Sequence, residues 1–473
     1  MKRAIFILIA TTALLWGCNC DEPEWISTTV DSPWQAQDPA GISQGILSDA
    51  VILIDIDATA QTIEGFGSCA SELSWASLSV LPKTEREAIF RELFAPGVGA
   101  NFTMERTPIG ASDFSLDYYS YDSVDGDFAL GNFSVARDRD GLLPFLKAAL
   151  AQNPDLKIWA SPWCPPSWMK VNRHYANRST PPYLPTNGLA ADKQIPEGQD
   201  AFIMEPEYLD AYARYFGKYI DAYRAEGVNV SMVMPQNEPN SDQWFPACTW
   251  TPEGLAKFIS VLGPEMEKRG VNIFLGTMER GDVSMWERIL KDPAAGPFIK
   301  GMGFQWAGRD ALPALHAEYP DLPCYMTEQE CGNGANDWAG VLHSWELMKH
   351  YLSNGCQGYF YWNTSLFEGE PSTWGWRQNS LITVNRSDCS WRFTPEYYLL
   401  KHLSHYVLPG AKLLRTSGPV DEDVLAFLNP DGKVVVLVVN PIEEAISVAV
   451  DFGKNAFTVL LAPNSINTIC VKL

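Results

Sequence analysis

The sequence is short of positive charge: 35 Lys and Arg stand against 57 Asp and Glu, a formal net charge of −22. A nucleic-acid partner needs a basic footprint, so this class of ligand is excluded from the expectation. Cysteine spacing of the metal-binding kind is also missing. Of ten cysteines, Cys18 and Cys20 lie near the N-terminus, and the remaining eight are scattered, with Cys324 and Cys331 outside CxxC geometry. Free thiols and one or two disulfides both fit this pattern. No motif requires a metal or another cofactor, and none is expected. The chain lacks an internal repeat and a low-complexity tract. Its apolar run over residues 4–16 is too short to span a bilayer as a stable helix.

That short run has a different reading. Met1-Lys2-Arg3 is a basic start, and Leu15-Trp16-Gly17-Cys18 closes the apolar stretch. The arrangement resembles a bacterial lipoprotein signal, which implies removal of residues 1–17 and a lipid on Cys18; an ordinary secretory signal is the alternative. Asp21, Glu22 and Glu24 follow at once and look like the acidic export tag of surface lipoproteins. The expected location is the outer membrane or cell surface, with a periplasm-facing position as the variant. The expected membrane contact is the lipid anchor alone, and a monomer is expected. Residues 18–45, with Pro23, Pro33 and Pro39 and little periodicity, read as a tether.

From residue 65 onward, strand-like and helix-like runs alternate eight times. The strand candidates are 65–69, 102–107, 157–163, 230–236, 273–277, 301–306, 324–328 and 358–362. Helical segments lie between them, such as 208–225 and 252–269, the latter opening with Thr251 as N-cap and Pro252 at the first helical position. Eight such repeats predict an α/β fold, a (β/α)8 TIM barrel. Helix-to-strand connections are short and turn-like, for example Asn153-Pro154-Asp155 and Ser353-Asn354-Gly355, whereas 109–141, 164–206 and 363–396 are long and aromatic-rich. A barrel builds its active site from the loops after the strands, so this asymmetry marks the functional face. Alternating strands over 51–63 and short strands after 413 predict a side β-sandwich contributed by both chain ends. The expected boundaries are 46–64 for the first sandwich strands, 65–408 for the barrel and 409–473 for the rest of the sandwich.

Two glutamates stand where barrel chemistry is expected. Glu238, in Gln236-Asn237-Glu238-Pro239, follows the fourth strand, and Glu328, in Met326-Thr327-Glu328, ends the seventh. Two carboxyl groups at one end of a sheet are what glycosidic bond cleavage needs, one to protonate the leaving oxygen and one to attack the anomeric carbon. Alternation along the seventh strand puts Glu330 on the same side as Glu328, so either could serve there. Arg106 ends the second strand and is a suitable cation to keep such a carboxylate ionised.

Several segments recur in a known family. Gly65-Phe66-Gly67, Arg106 with Ala111-Ser112-Asp113-Phe114-Ser115, Ala160-Ser161-Pro162-Trp163 with Pro166-Ser167-Trp168-Met169-Lys170, Asn237-Glu238-Pro239 and Thr327-Glu328 resemble glycoside hydrolase family 30. The likeness runs from about residue 65 to the end. It implies a retaining mechanism with Glu238 as acid/base and Glu328, rather than Glu330, as nucleophile, through a covalent glycosyl-enzyme. Strand-end positions place Arg106, Trp163, Trp306 and Trp362 at the mouth, with Asp113 and Asn363 as hydroxyl ligands, Asn237 toward the sugar 2-hydroxyl and Trp376 on a long loop, and these eight are the expected substrate-binding residues. Trp168, Trp244 and Trp374 share the long loops, where an indole can either stack on sugar or anchor the loop.

The segment 372–382, Ser-Thr-Trp-Gly-Trp-Arg-Gln-Asn-Ser-Leu-Ile, is similar to the β-1,6-glucanase branch of the family. The sixth strand ends in Gln305-Trp306, a departure from the His-Trp of glucosylceramidases. A glucan or oligosaccharide partner is therefore expected, with endo cleavage of β-1,6-glucan as the activity. The alternatives are an exo-acting β-glucosidase or glucosylceramidase-like enzyme, another β-glycosidase of the same family and, from another class, a surface glycan-binding lipoprotein without catalysis.

Overall fold

The computed structural model describes residues 23–472. The expected signal peptide over residues 1–17 and the lipid-bearing Cys18 lie outside the described residues.

Eight parallel strands close into a barrel in sequence order: β1 Gly65–Cys69, β2 Met104–Pro108, β3 Lys157–Ser161, β4 Val230–Val233, β5 Asn272–Met278, β6 Ile299–Gln305, β7 Cys324–Glu328 and β8 Cys356–Tyr361. Strands β1, β2 and β7 are buried along their whole length and the other five at all but one residue each, as a sheet covered by helices on the outside must be. Several helices open on side-chain caps. Thr251 caps Pro252–Glu267 by accepting from the Gly254 amide, and proline at the first position costs no hydrogen bond there. Helix Pro206–Ala225 buries a tyrosine-rich stripe, Tyr212, Tyr215, Tyr219 and Tyr223, against the barrel. The loop after β8 is not wholly irregular. Strands Ser365–Phe367, Ile382–Val384 and Trp391–Phe393 form a small sheet that frames segment 372–382.

The second layer is a ten-stranded sheet whose strands come from both chain ends. Strand Val51–Thr62 lies between Lys412–Ser417 and Ile446–Asp451, and Lys433–Asn440 lies between Val424–Leu428 and Ser465–Lys472. Period-two alternation divides its side chains. Leu425, Phe427, Val435, Leu437 and Val439 join the barrel's core, while Val424, Ala426, Val434, Val436 and Val438 join a separate sandwich core. All eight cysteines within the described residues are free thiols.

The tether expected over residues 18–45 is corrected by this structure. Glu24–Thr29 is a full strand of the sheet, paired along Ser465–Lys472, and Gln35–Ala36 and Ser43–Gln44 pair at the sheet's two ends. Trp25 and Ile26 are buried, Thr28 Oγ1 lies 2.8 Å from His402 Nε2, and Trp34 packs against His402, His405 and Tyr406. Scattered prolines mask this strand in the sequence because they fall at its ends and in the turns, where a missing N–H costs nothing. A chain beginning at Asp38 is expected to lose about 3 kcal/mol or more, the burial of Trp25 and Ile26, read as a lower urea midpoint or Tm. Unchanged stability would restore the tether reading.

Candidate active site

The site is built on the guanidinium of Arg106, which β2 carries inside the barrel. It is fully buried, and Nη1 donates 2.7 Å to Glu328 Oε2 and 3.1 Å to the Thr327 carbonyl. Nη2 donates 2.7 Å to Asn237 Oδ1 and 3.1 Å to Ser161 Oγ. The guanidinium carbon sits 5.1, 4.6 and 5.2 Å from the ring centroids of Trp159, Trp163 and Trp362. A buried cation is tolerated only when paired and hydrogen-bonded, and both conditions are met here, with aromatic faces adding attraction. One side chain thus fixes residues from β3, the β4 exit and β7 relative to one another.

The two glutamates converge on one cavity of about 600 Å³ at the C-terminal end of the strands. Glu328 ends β7, and its Oε1 lies 3.4 Å from the indole nitrogen of Trp306. Glu238 leaves β4 in a left-handed conformation, φ 48°, which is costly for a residue with a Cβ. Three contacts hold that exit: the Asn237 amide donates to the Pro162 carbonyl at 2.7 Å, Gln236 Nε2 to the Trp163 carbonyl at 2.7 Å, and Trp250 Nε1 to Gln236 Oε1 at 3.2 Å. Gln305 joins the two halves. A register shift after Phe304 sets Gln305 opposite Glu328, and its Nε2 donates 3.0 Å to Glu238 Oε1. Trp306 follows at φ 48°.

The carboxyl groups are electrostatically unequal. Burial raises Glu328 above the ordinary carboxylate range, and the charge and hydrogen bond of Arg106 offset part of that rise. Glu238 has no such clamp. Burial first and the charge of Glu328 second push it up to about 7, with Gln305, Arg280 and Arg106 offsetting part of the rise. Asp113 is held well above its usual range by burial and then by the charges of Glu328 and Glu238.

Of the residues singled out in the sequence, Asp113, Trp163, Asn237, Glu238, Trp306, Glu328 and Trp376 line the cavity. Arg106 lies beneath it. Trp362 stacks on Trp163 at 5.1 Å, behind the wall, and Asn363 Nδ2 donates 2.7 Å to Gln378 Oε1, a wall residue. Asn237 Oδ1 accepts from Arg106, Thr277 Oγ1 and Gln305 Nε2, so its amide NH2 is the free end. Among the loop indoles, Trp168 is buried against Phe128 and Tyr208, and Trp374 is buried while its carbonyl accepts from Trp244. These three anchor loops; Trp376 alone of the four lines the cavity. Glu330 also lines it, but its carboxylate is engaged by Arg309 and, at 3.5 Å, by His343. Sequence reasoning missed Glu279, Arg280, Gln243 and Arg309, all in the cavity wall. Glu279 follows β5 just as Glu238 follows β4, a signal that strand-end positions carry, but Glu279-Arg280-Gly281-Asp282 reads as an ordinary polar helix entry.

Comparison with known proteins agrees with this architecture. Residues 63–407 match the glycosyl hydrolase family 30 TIM-barrel domain, and residues 410–469 match the family 30 beta sandwich domain. The chain is 27% identical over 438 residues to lysosomal acid glucosylceramidase of Mus musculus, covering 86% of this chain and 81% of that protein. It is 27% identical over 409 residues to an endo-1,6-beta-D-glucanase of Aspergillus fumigatus, covering 80% and 78%. The solved structure of the endo-beta1,6-glucanase BT3312 superposes with a TM-score of 0.80 at 27% identity, over 95% of this chain and 99% of that one. With both domain models matched in order around the buried Arg106 and its two glutamates, the chain belongs to glycosyl hydrolase family 30 and is a glycoside hydrolase.

Proposed function

We propose that this hydrolase cleaves β-1,6-linked glucan internally and with retention of configuration, with Glu328 as nucleophile and Glu238 as acid/base. The observation that carries the division of roles is the unequal treatment of the two carboxyls. Glu328 is clamped by Arg106 at 2.7 Å, while Glu238 sits unclamped at about 7. A nucleophile must be ionised, and a general acid must still hold its proton near neutral pH.

In the first step the Glu328 carboxylate attacks the anomeric carbon as Glu238 gives its proton to the glycosidic oxygen, and the leaving sugar departs. Once Glu328 is an ester its charge is gone, so the repulsion raising Glu238 is relieved, its pKa falls, and having given up its proton it stays ionised and available as the base. It then takes a proton from water, whose oxygen displaces Glu328 from the sugar. The free amide of Asn237 is directed to the 2-hydroxyl, a contact that strengthens as the oxocarbenium character develops.

Two observations favour a glucan over a lipid glycoside. Beyond Glu238 the wall carries Ser241, Gln243, Glu279, Arg280, Arg309 and Gln378 beside Phe245, Trp306 and Trp376, a mixture of polar groups and aromatic faces that suits sugar hydroxyls and ring faces, whereas an alkyl chain would lie against unsatisfied polar atoms. Two of the comparison proteins are endo-1,6-glucanases, and segment 372–382, similar to that branch, supplies Trp376, Arg377 and Gln378 to the wall. A polymeric substrate also fits the export signal read in residues 1–17.

Because Glu238 titrates near 7, kcat/KM is expected to fall as pH rises through about 7. Glu238→Gln is expected to lower kcat/KM on glucan about 100-fold or more and to abolish this alkaline limb with aryl glucosides of good leaving ability. A pH–rate profile with the limb intact in Glu238→Gln would remove Glu238 from the acid role. On a panel of linkage-defined glucans, β-1,6-glucan should turn over fastest and yield oligosaccharides first; glucose alone from the outset would favour exo action.

A further inference from the structure

Glu238 and Glu328 divide the ring of strand ends into two arcs. One arc, over β8, β1, β2 and β3, holds Arg106, Asp113, Trp163 and Asn363; the other, over β5 and β6, holds Glu279, Arg280, Trp306 and Arg309. The attacked sugar needs the developing positive charge enclosed and its hydroxyls held, which the first arc supplies around Arg106 and Asn237. The departing sugar then lies over the second arc, on the side of the acid that protonates it.

Glu279 is the buried acid of that second arc. It is 1% exposed yet belongs to the cavity wall. Its Oε1 accepts from the Asn240 amide at 2.9 Å and lies 3.9 Å from Arg280 Nη1, whereas its Oε2 is buried with no hydrogen-bond partner. A carboxyl oxygen left orphaned in a protein interior costs stability unless something else satisfies it. The residue is also held in place from both sides. Arg280 is ion-paired to Glu197 from the long loop after β3, and the Trp286 indole donates to the Arg280 carbonyl at 3.0 Å. Gly308, in the loop after β6, packs so close that a Cβ would stand 1.9 Å from the Met278 carbonyl oxygen, which fixes the backbone entering Glu279. Burial and then the charge of Glu238 push the Glu279 carboxyl up to about 8, so at neutral pH it holds a proton and can donate as well as accept.

We infer that Glu279 is a specificity-determining residue for the leaving group, its orphaned oxygen taking a hydroxyl of the sugar on the far side of the scissile bond. The inference rests on the reading of Glu238 and Glu328 as the catalytic pair. It gives the second arc a reason for its polarity that neither glutamate needs.

The test compares two leaving groups in wild type, Glu279→Ala and Glu279→Gln. One substrate is a β-1,6-linked gluco-oligosaccharide, whose leaving group carries hydroxyls; the other is an aryl β-glucoside, whose leaving group carries none. The Glu279→Ala loss of kcat/KM is expected to be at least tenfold greater on the oligosaccharide than on the aryl glucoside, and Glu279→Gln, which keeps donor and acceptor, should recover most of the difference. Equal losses on both substrates, or no loss on either, would overturn the inference. If wild type fails on the β-1,6-linked compound, the proposed linkage has failed instead, and the same ratio is read with whichever linkage-defined oligosaccharide it cleaves.

Discussion

The buried ion pair between Arg106 and Glu328 is the interaction on which the rest of the site depends. Burying a guanidinium is tolerable only if most of its donors are used, and here Glu328, Thr327, Ser161 and Asn237 take the two terminal nitrogens, leaving Nε alone without a partner, while three indole faces surround the group. Removing one partner of such a pair typically costs about 3–5 kcal/mol, because the other charge is left buried and alone. The same contact makes the two glutamates different. Glu328 is the clamped carboxylate, and its charge helps keep a proton on Glu238. A single arginine thereby links the packing of the barrel interior to the protonation states that cleavage requires.

Backbone strain is found at the same place. Glu238 and Trp306 both adopt left-handed backbone, each where a barrel strand ends, and a register shift after Phe304 delivers Gln305 between them. Such conformations cost about 1–3 kcal/mol each and persist only when surroundings over-determine them. At Glu238 the determinants are visible: the Pro162 and Trp163 carbonyls and Trp250 hold the residues just before it. The scaffold pays for side-chain direction at the mouth with rigidity one residue deeper.

Much of this was legible in the sequence, for a physical reason. Strand ends in a barrel all face one way, so locating eight strands located Arg106, Asn237, Glu238, Trp306 and Glu328 on one face without any knowledge of contacts. Competition between Glu328 and Glu330 could not be decided by alternation, since both do line the cavity; what distinguishes them is the partner, buried Arg106 for one and partly exposed Arg309 for the other. Indoles were equally ambiguous, because the same ring that stacks on sugar also plugs a loop, and only tertiary packing separates Trp376 from Trp168. Glu279 was hidden by looking like a polar helix entry, and the strand Glu24–Thr29 by the prolines around it.

The most direct measurement is to trap the glycosyl-enzyme with a 2-deoxy-2-fluoroglucosyl fluoride, which forms the ester faster than water can cleave it, and to locate the label by peptide mass spectrometry. The account predicts one fluoroglucosyl group per chain, on Glu328. A label on Glu330, or turnover with no covalent adduct at all, would contradict it.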